Sequence, residues 1–318
     1  MSTSDAKGEA SALASSIIDG IASHSFDDAE VDDLMEQIAV MNTKLLLPNN
    51  MAEATDAAPV ECTPVIKSAS FFNEEEYVNT TAGWTGANGN LGNGDENLAA
   101  QAYEFWQVKF DMFQTIKGLP KGTYKVTVDA WCRMGDNDQN FAAWSTDNNA
   151  TMAFVYAVDG DSTVYSSPVA NVMKGALTED PGIEGLAEWV NGETTYYMPN
   201  TLIAGWNYMY LTEDLFTSSV IAKVGDDGVL TVGIKKAEEM GNSWVVLDNF
   251  KLYYLGANST AEVSGDAATA ISTLETAPVK VEFYTVGGAR ISKPGKGVAI
   301  VKQTLSDGTV KMHKVIVK

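Results

Sequence analysis

A turn that feeds a strictly alternating strand fixes the middle of this chain as half-buried β structure. Gly118-Leu119-Pro120-Lys121-Gly122 runs into Thr123-Tyr124-Lys125-Val126-Thr127-Val128-Asp129-Ala130-Trp131-Cys132-Arg133, and a Pro-Gly pair before such a run marks a turn entering a strand. Successive side chains of a strand point to opposite faces. Tyr124, Val126, Val128, Ala130 and Cys132 therefore make a core face, and Lys125, Thr127, Asp129, Trp131 and Arg133 make the other. The second face is polar until it ends in an indole beside a guanidinium. That composition suits a surface that stacks on a sugar ring and hydrogen-bonds its hydroxyls. The same pattern is also compatible with a loop folded over Trp131.

The remaining chain punctuates short β-rich runs with Gly, Asn and Asp. Thr151 to Val158 precedes Asp159-Gly160-Asp161-Ser162, and Val229 to Ile234 follows Gly225-Asp226-Asp227-Gly228. Such spacing predicts an antiparallel β-sandwich, here over residues 63–256. Before it, residues 1–47 predict a helical hairpin or spacer, with helices from Ala10 to Ile21 and from Asp28 to Leu46. Ser25 or Asp27 would cap the second, and Val31, Leu34, Ile38 and Met41 form its apolar stripe. Residues 48–62 and 257–278 have linker composition. Val169 to Trp189 reads as a long loop with one helical turn, and residues 279–318 as a small closing β unit. A chain of 318 residues that is 45% hydrophobic is long enough for one full core with two flanks.

Taken with Tyr103-Glu104-Phe105-Trp106, with Phe110-Asp111-Met112-Phe113-Gln114-Thr115-Ile116 and with Trp244-Val245-Val246-Leu247-Asp248-Asn249-Phe250-Lys251-Leu252, the alternating strand resembles the galactose-binding-like jelly-roll modules of secreted glycan-handling proteins of Bacteroidetes. The resemblance covers roughly residues 63 to 256. It implies a mainly β fold, an antiparallel jelly-roll, and raises the expectation of carbohydrate binding. Modules of this kind often hold a structural calcium with a carboxylate from the final strand, a position that Asp248 occupies; the early acid of a related motif is missing from Ala69-Ser70-Phe71-Phe72. The segments Val281-Glu282-Phe283-Tyr284, Gly287-Gly288-Ala289-Arg290-Ile291, Lys293 to Val301 and Lys314-Val315-Ile316-Val317-Lys318 resemble the C-terminal sorting tail of the type IX (Por) export system, although Thr285-Val286-Gly287-Gly288 departs from its usual pattern. Both resemblances imply an extracellular or cell-surface location. Met1 to Gly8 lacks the basic and apolar regions of a secretory signal, which taken alone points to the cytosol; set beside the two resemblances, it makes a mature fragment the expected reading.

Charge and residue inventory narrow the function classes. A formal charge of −21, from 42 acidic and 21 basic residues, disfavours nucleic acid and anionic lipid as partners, and no run of about twenty apolar residues suggests membrane insertion. The two histidines, His24 and His313, fall outside the predicted sandwich. This excludes Ser-His-Asp chemistry and histidine-ligated metals there. A carboxylate pair for glycoside hydrolysis remains open among residues such as Asp111, Glu188, Glu238 and Glu239. Cys62 and Cys132 are equally compatible with a disulfide and with two separate thiols.

Glycan binding has the better raw material. Seven tryptophans and twelve tyrosines are present, with Trp84, Trp144, Tyr196 and Tyr197 in predicted turns and Trp131, Arg133 and Asp129 on the outward strand face. Trp106 and Trp244 alternate with apolar neighbours and are expected in the core. The expected function is non-catalytic binding of an extracellular polysaccharide or glycoconjugate, as an accessory module beside neighbouring modules or enzymes of a larger surface protein. The alternatives are a structural spacer or adhesion module, and a glycoside hydrolase-associated fragment with a carboxylate pair.

Overall fold

The computed structural model describes residues 3–23, 26–91, 100–265, 280–285, 287–288, 290–291, 297–304 and 310–317. The chain divides into two compact units, Met1–Ala267 and Ala268–Lys318.

The first unit opens with α1 (Thr3–Ser23) and α2 (Asp28–Leu46). Asp27 starts α2 through a capping box in which its carboxylate accepts from Glu30 N and the Glu30 carboxylate accepts from Asp27 N, each at 2.9 Å. Two of the donors that a helix start leaves open are thereby satisfied. Ser25, the other expected cap, lies outside the described residues. Lys44 of α2 pairs with Glu9 of α1 at 2.9 Å, so the helices run antiparallel. The hairpin is no free spacer, because Val40 packs on Gly118 so closely that a Cβ there would meet its Cγ1 at 2.9 Å.

β1 (Val60–Glu61) follows, then the ribbon β2 (Phe72–Asn73) and β3 (Val78–Asn79), β4 (Tyr103–Trp106), β5 (Phe110–Ile116) and β6 (Gly122–Arg133). Next come α3 (Asn137–Thr146), β7 (Phe154–Asp159), β8 (Val164–Pro168), β9 (Ala170–Asn171), the hairpin β10 (Leu186–Asn191) and β11 (Thr194–Pro199), and α4 (Leu202–Met209). β12 (Thr217–Val224), β13 (Leu230–Lys236) and β14 (Trp244–Gly256) complete the unit's strands.

Two sheets stack into a sandwich. The larger has the order β1-β14-β6-β12, with β4 also on β14 and β9 on β6; the smaller has the order β5-β13-β7-β8. Consecutive strands cross between them, β4 to β5 to β6 to β7 and again β12 to β13 to β14, giving the jelly-roll arrangement that the sequence predicts. Apart from the short parallel β6–β9 pair, the ladders are antiparallel. Tyr124, Val126, Val128, Ala130 and Cys132 lie in the core between the sheets, facing residues such as Met112, Val155, Val232 and Ile234. The alternation of β6 is thus realised as predicted. The segment 48–62 is less of a tether than its composition suggests, since Val60 and Cys62 are buried in the same core and β1 pairs with β14.

A second apolar layer covers the outer face of the larger sheet. Trp131, Trp244 and Val246 of the sheet pack there against Met173, Met198, Leu202, Tyr208 and Phe216 from the 170–216 segment. Sequence alone suggests a loop from Val169 to Trp189. Its last residues instead form β10, paired with β11 from Leu186↔Pro199 to Asn191↔Thr194.

In the second unit, β15 (Lys280–Thr285), β16 (Arg290–Ile291), β17 (Gly297–Thr304) and β18 (Val310–Val317) form an antiparallel sheet of order β16-β15-β17-β18. Residues 266–278 of the expected second linker, and 279, 286, 289, 292–296, 305–309 and 318 of the tail, lie outside the described residues.

Candidate functional site

The outward residues of β6 and β14 stand side by side as three rungs, Asp129 with Asp248, Trp131 with Val246, and Arg133 with Trp244. α4 straps the middle rung. Trp131, expected to present a stacking face to solvent, is 0% exposed. Its Nε1 donates to Gly205 O at 3.0 Å, and its ring packs edge-on to Trp244 at 4.9 Å. The covering element is a helix rather than the loop considered above, and Gly205 allows its close approach: a Cβ there would meet Trp131 Cζ2 at 2.9 Å, Val246 Cγ2 at 3.4 Å and Trp244 Cη2 at 3.5 Å. Gly205→Ala removes a helix-weakening glycine, a gain of about 1 kcal/mol, but overpacks two held indoles at a cost of about 1–3 kcal/mol. A net loss of up to about 2 kcal/mol in urea denaturation is expected.

At one end of the strap lie Asp129 and Asp248. The Tyr210 hydroxyl is 3.0 Å from Asp248 Oδ2 and 3.3 Å from Asp129 Oδ2, so one phenol bridges both carboxylates. Trp206 Nε1 donates to Asp248 Oδ2 at 2.9 Å, Asn249 Nδ2 to Asp129 Oδ2 at 3.0 Å, and Thr217 Oγ1 to Asp129 Oδ1 at 2.5 Å. The chain reaches this arrangement through a bulge after Asp248, where Asn249 adopts φ 58° and the β6–β14 register shifts. Bulges re-aim side chains in this way. Asp248 is 6% exposed, and its Oδ1 is buried without a hydrogen-bond partner. Burial pushes its carboxyl up to about 7, against the pull of the Trp206 and Tyr210 hydrogen bonds. Burial first, then the two neighbouring carboxylates, push the Tyr210 phenol up as well, so it remains a donor. Tyr210 is nevertheless 46% exposed, and its ring stands edge-on to the half-buried Trp206 at 6.2 Å. An aromatic pair thus stands at the surface over a half-buried acid, Asp129, a half-buried amide, Asn249, and the buried Asp248.

Neither Trp206 nor Tyr210 was among the sequence candidates. The available signal was their i, i+4 spacing behind Thr201, whose hydroxyl accepts from Ala204 N and caps α4.

At the other end, the Arg133 guanidinium lies 5.2 Å from the Trp244 ring centre and 5.3 Å from that of Trp106. Trp244 is in the core, as predicted, but Trp106 is 45% exposed. The expected alternation of Trp106 with Val108 and Phe110 fails because Gln107, at φ 64°, breaks the strand and resets its phase.

The other candidates lie apart. Trp84 is in the main core, its Nε1 donating to Ser68 O at 3.2 Å and its ring 4.7 Å from Phe250. Trp144 lies on α3 rather than in a turn. Trp144 and Tyr196 both contact Phe141, while Trp189 stacks on Tyr196 at 5.4 Å, a half-buried cluster that seats the β10–β11 hairpin on α3. Tyr197 points from the other face of that hairpin, where its backbone N–H bonds Leu177 O. Both cysteines are buried free thiols, and burial pushes Cys62 up to about 11.

The donor set around Asp248 does not fit calcium. That ion takes six to eight oxygen ligands, whereas here an indole N–H, an amide N–H and two hydroxyls already direct their protons at the two carboxylates. The early segment Ala69 to Phe72 lies on the opposite side of β14, where Ala69 O accepts from Phe250 N.

No family model matches the chain, and no curated protein does. Among solved structures, a candidate sugar-binding protein of Bacteroides thetaiotaomicron is similar at 14% identity and a TM-score of 0.20, with 55% of this chain and 85% of that one covered. An overlap so slight defines neither a fold nor a ligand.

Proposed function

We propose that this protein binds a polysaccharide or glycoconjugate without cleaving it, through the outer face of the larger sheet beside α4. The observation that carries this reading is the Trp206–Tyr210 pair standing at the surface over Asp129, Asp248 and Asn249. A pyranose buries an apolar C–H face on such rings while the half-buried Asp129 and Asn249 take its hydroxyls. Binding is favoured over hydrolysis because Asp248 is buried behind Tyr210 with both its Oδ2 contacts made, leaving it no path to a leaving group. The setting proposed for this activity is extracellular or at the cell surface, beside other modules or enzymes, with residues 279–318 serving as a sorting tail.

The test is a glycan array followed by affinity electrophoresis. Tyr210→Ala and Trp206→Ala should each weaken glycan binding by about 1–3 kcal/mol, or roughly five- to 150-fold. Unchanged affinity in both variants, or no binding across plant, host and microbial polysaccharides, would overturn the proposal.

A further inference from the structure

A chain with 42 acidic residues leaves a buried arginine without one. Arg133 is 7% exposed, and among the described residues no carboxylate lies within 4.0 Å of it. Its Nε is buried with no partner. Its other nitrogens make only long bonds, Nη1 to Pro199 O at 3.5 Å and Nη2 to Asn242 O at 3.4 Å, at the limit of useful geometry. Burial pushes the Arg133 guanidinium down, and Asp136, the carboxylate whose charge opposes that, is engaged in the capping box of α3, where it accepts from Gln139 N at 2.9 Å. A second buried cation hangs on the same turn: Lys236 is 0% exposed, and its Nζ bonds Ser243 Oγ at 2.6 Å without an ion pair among the described residues. Two desolvated cations on which Asp136 and Glu239 act only from beyond ion-pair distance are costly, and a bound anion offsets that cost.

What lies beside Arg133 gives the anion its chemical class. Trp106, against the guanidinium, is the most exposed indole near it and offers a flat apolar face. The guanidinium is a planar fork whose Nη2 end, less enclosed than Nε or Nη1 and held only by a 3.4 Å bond, is the end that a carboxylate matches. We infer that Arg133 and Trp106 form a second saccharide subsite that takes a uronic acid residue, its ring on Trp106 and its carboxylate on Arg133. The subsite rests on the glycan-binding reading but uses different residues from the Tyr210 end. Arg133 and Asp129 are four residues apart on β6, so the two places are roughly 13 Å apart along the strand, with α4 between them.

The experiment measures binding of the whole chain to polygalacturonate, alginate and glucuronoxylan, to their carboxyl-reduced counterparts, and to a sulfated galactan. At least one free acid should bind ten-fold or more tightly than its reduced form and than the sulfated chain, with affinity falling as salt rises. Trp106→Ala, a surface change, should abolish most of that preference, and Arg133→Lys, which keeps the charge and loses the fork, should do the same with an unchanged melting temperature. If Arg133→Lys does not fold, Trp106→Ala still decides the matter. Neutral glycans bound with no acid preference would overturn the subsite and leave the proposed function standing, whereas no glycan bound would overturn both. Preference for the sulfated chain, or full preference retained in Trp106→Ala, would also overturn it.

Discussion

Trp131→Ala will lower folding stability by about 3–5 kcal/mol, the range for deleting a large buried ring. The residue is wholly enclosed, and its loss empties the space between the sheet and α4. It also removes the donor to Gly205 O and the edge-on packing with Trp244, so the helix loses both a hydrogen bond and its seat. Trp131→Phe, which keeps most of the ring volume, should cost less, about 1–2 kcal/mol. Urea denaturation of the two variants checks this. Because Trp206 lies on α4 and Tyr210 directly follows it, the alanine variant should also lose glycan affinity, through a loosened helix rather than a lost stacking face. A loss of stability below about 1 kcal/mol would mean that α4 is not held by this residue.

That prediction differs from the one β6 alone invites, and the difference shows where sequence patterning stops. The period of two in β6 is a local property, and it assigned both faces of the strand correctly. Which face meets solvent is a long-range matter, decided here by Leu202–Met209, some seventy residues further on. The helix hid from inspection because it is a single short amphipathic element with a glycine at position 205, which lowers its intrinsic propensity. The clue that was present, Thr201 before an apolar run, is shared by many loops.

α3 repeats the lesson. Asp136 and Gln139 form a capping box, and D-x-x-Q before an apolar run is a helix-start signal. Asp and Asn are also common turn formers, which is how Trp144 comes to be expected in a turn when it belongs to this helix. The carboxylate pair was invisible for a third reason: Asp129 and Asp248 are 119 positions apart, and only the antiparallel register of β6 with β14 places them on one rung. Of the residues expected on the binding surface, Asp129 reaches the Tyr210 end and Arg133 the Trp106 end, with the metal candidate Asp248 beside Asp129. Trp84 and Trp131 are core residues whose Nε1 groups both found backbone acceptors, as buried indoles usually do.

Asp248 should give the protein an inverted pH profile over part of the acid range. An aspartate in an unfolded chain titrates at about 3.9, and in the folded protein burial raises it to about 7. Between those values the folded state holds a proton that the unfolded state has released. Stability contributed by this group is therefore complete below about pH 4, falls as pH rises, and levels off above about pH 7, a total change of about 4 kcal/mol. Asp248→Asn fixes the neutral form while keeping an oxygen for Trp206 and Tyr210. The variant should be more stable than the parent at pH 8 by about 2–4 kcal/mol and show a flatter profile from pH 5 to pH 8. Urea denaturation at pH 5, 6.5 and 8 measures both. A parent whose stability rises across that window in parallel with the variant would show that Asp248 titrates like an exposed carboxyl. A buried acid that costs the fold several kcal/mol at neutral pH, next to an exposed tyrosine, is a group that stability alone does not explain, and perturbed acids of this kind are candidates for a functional site.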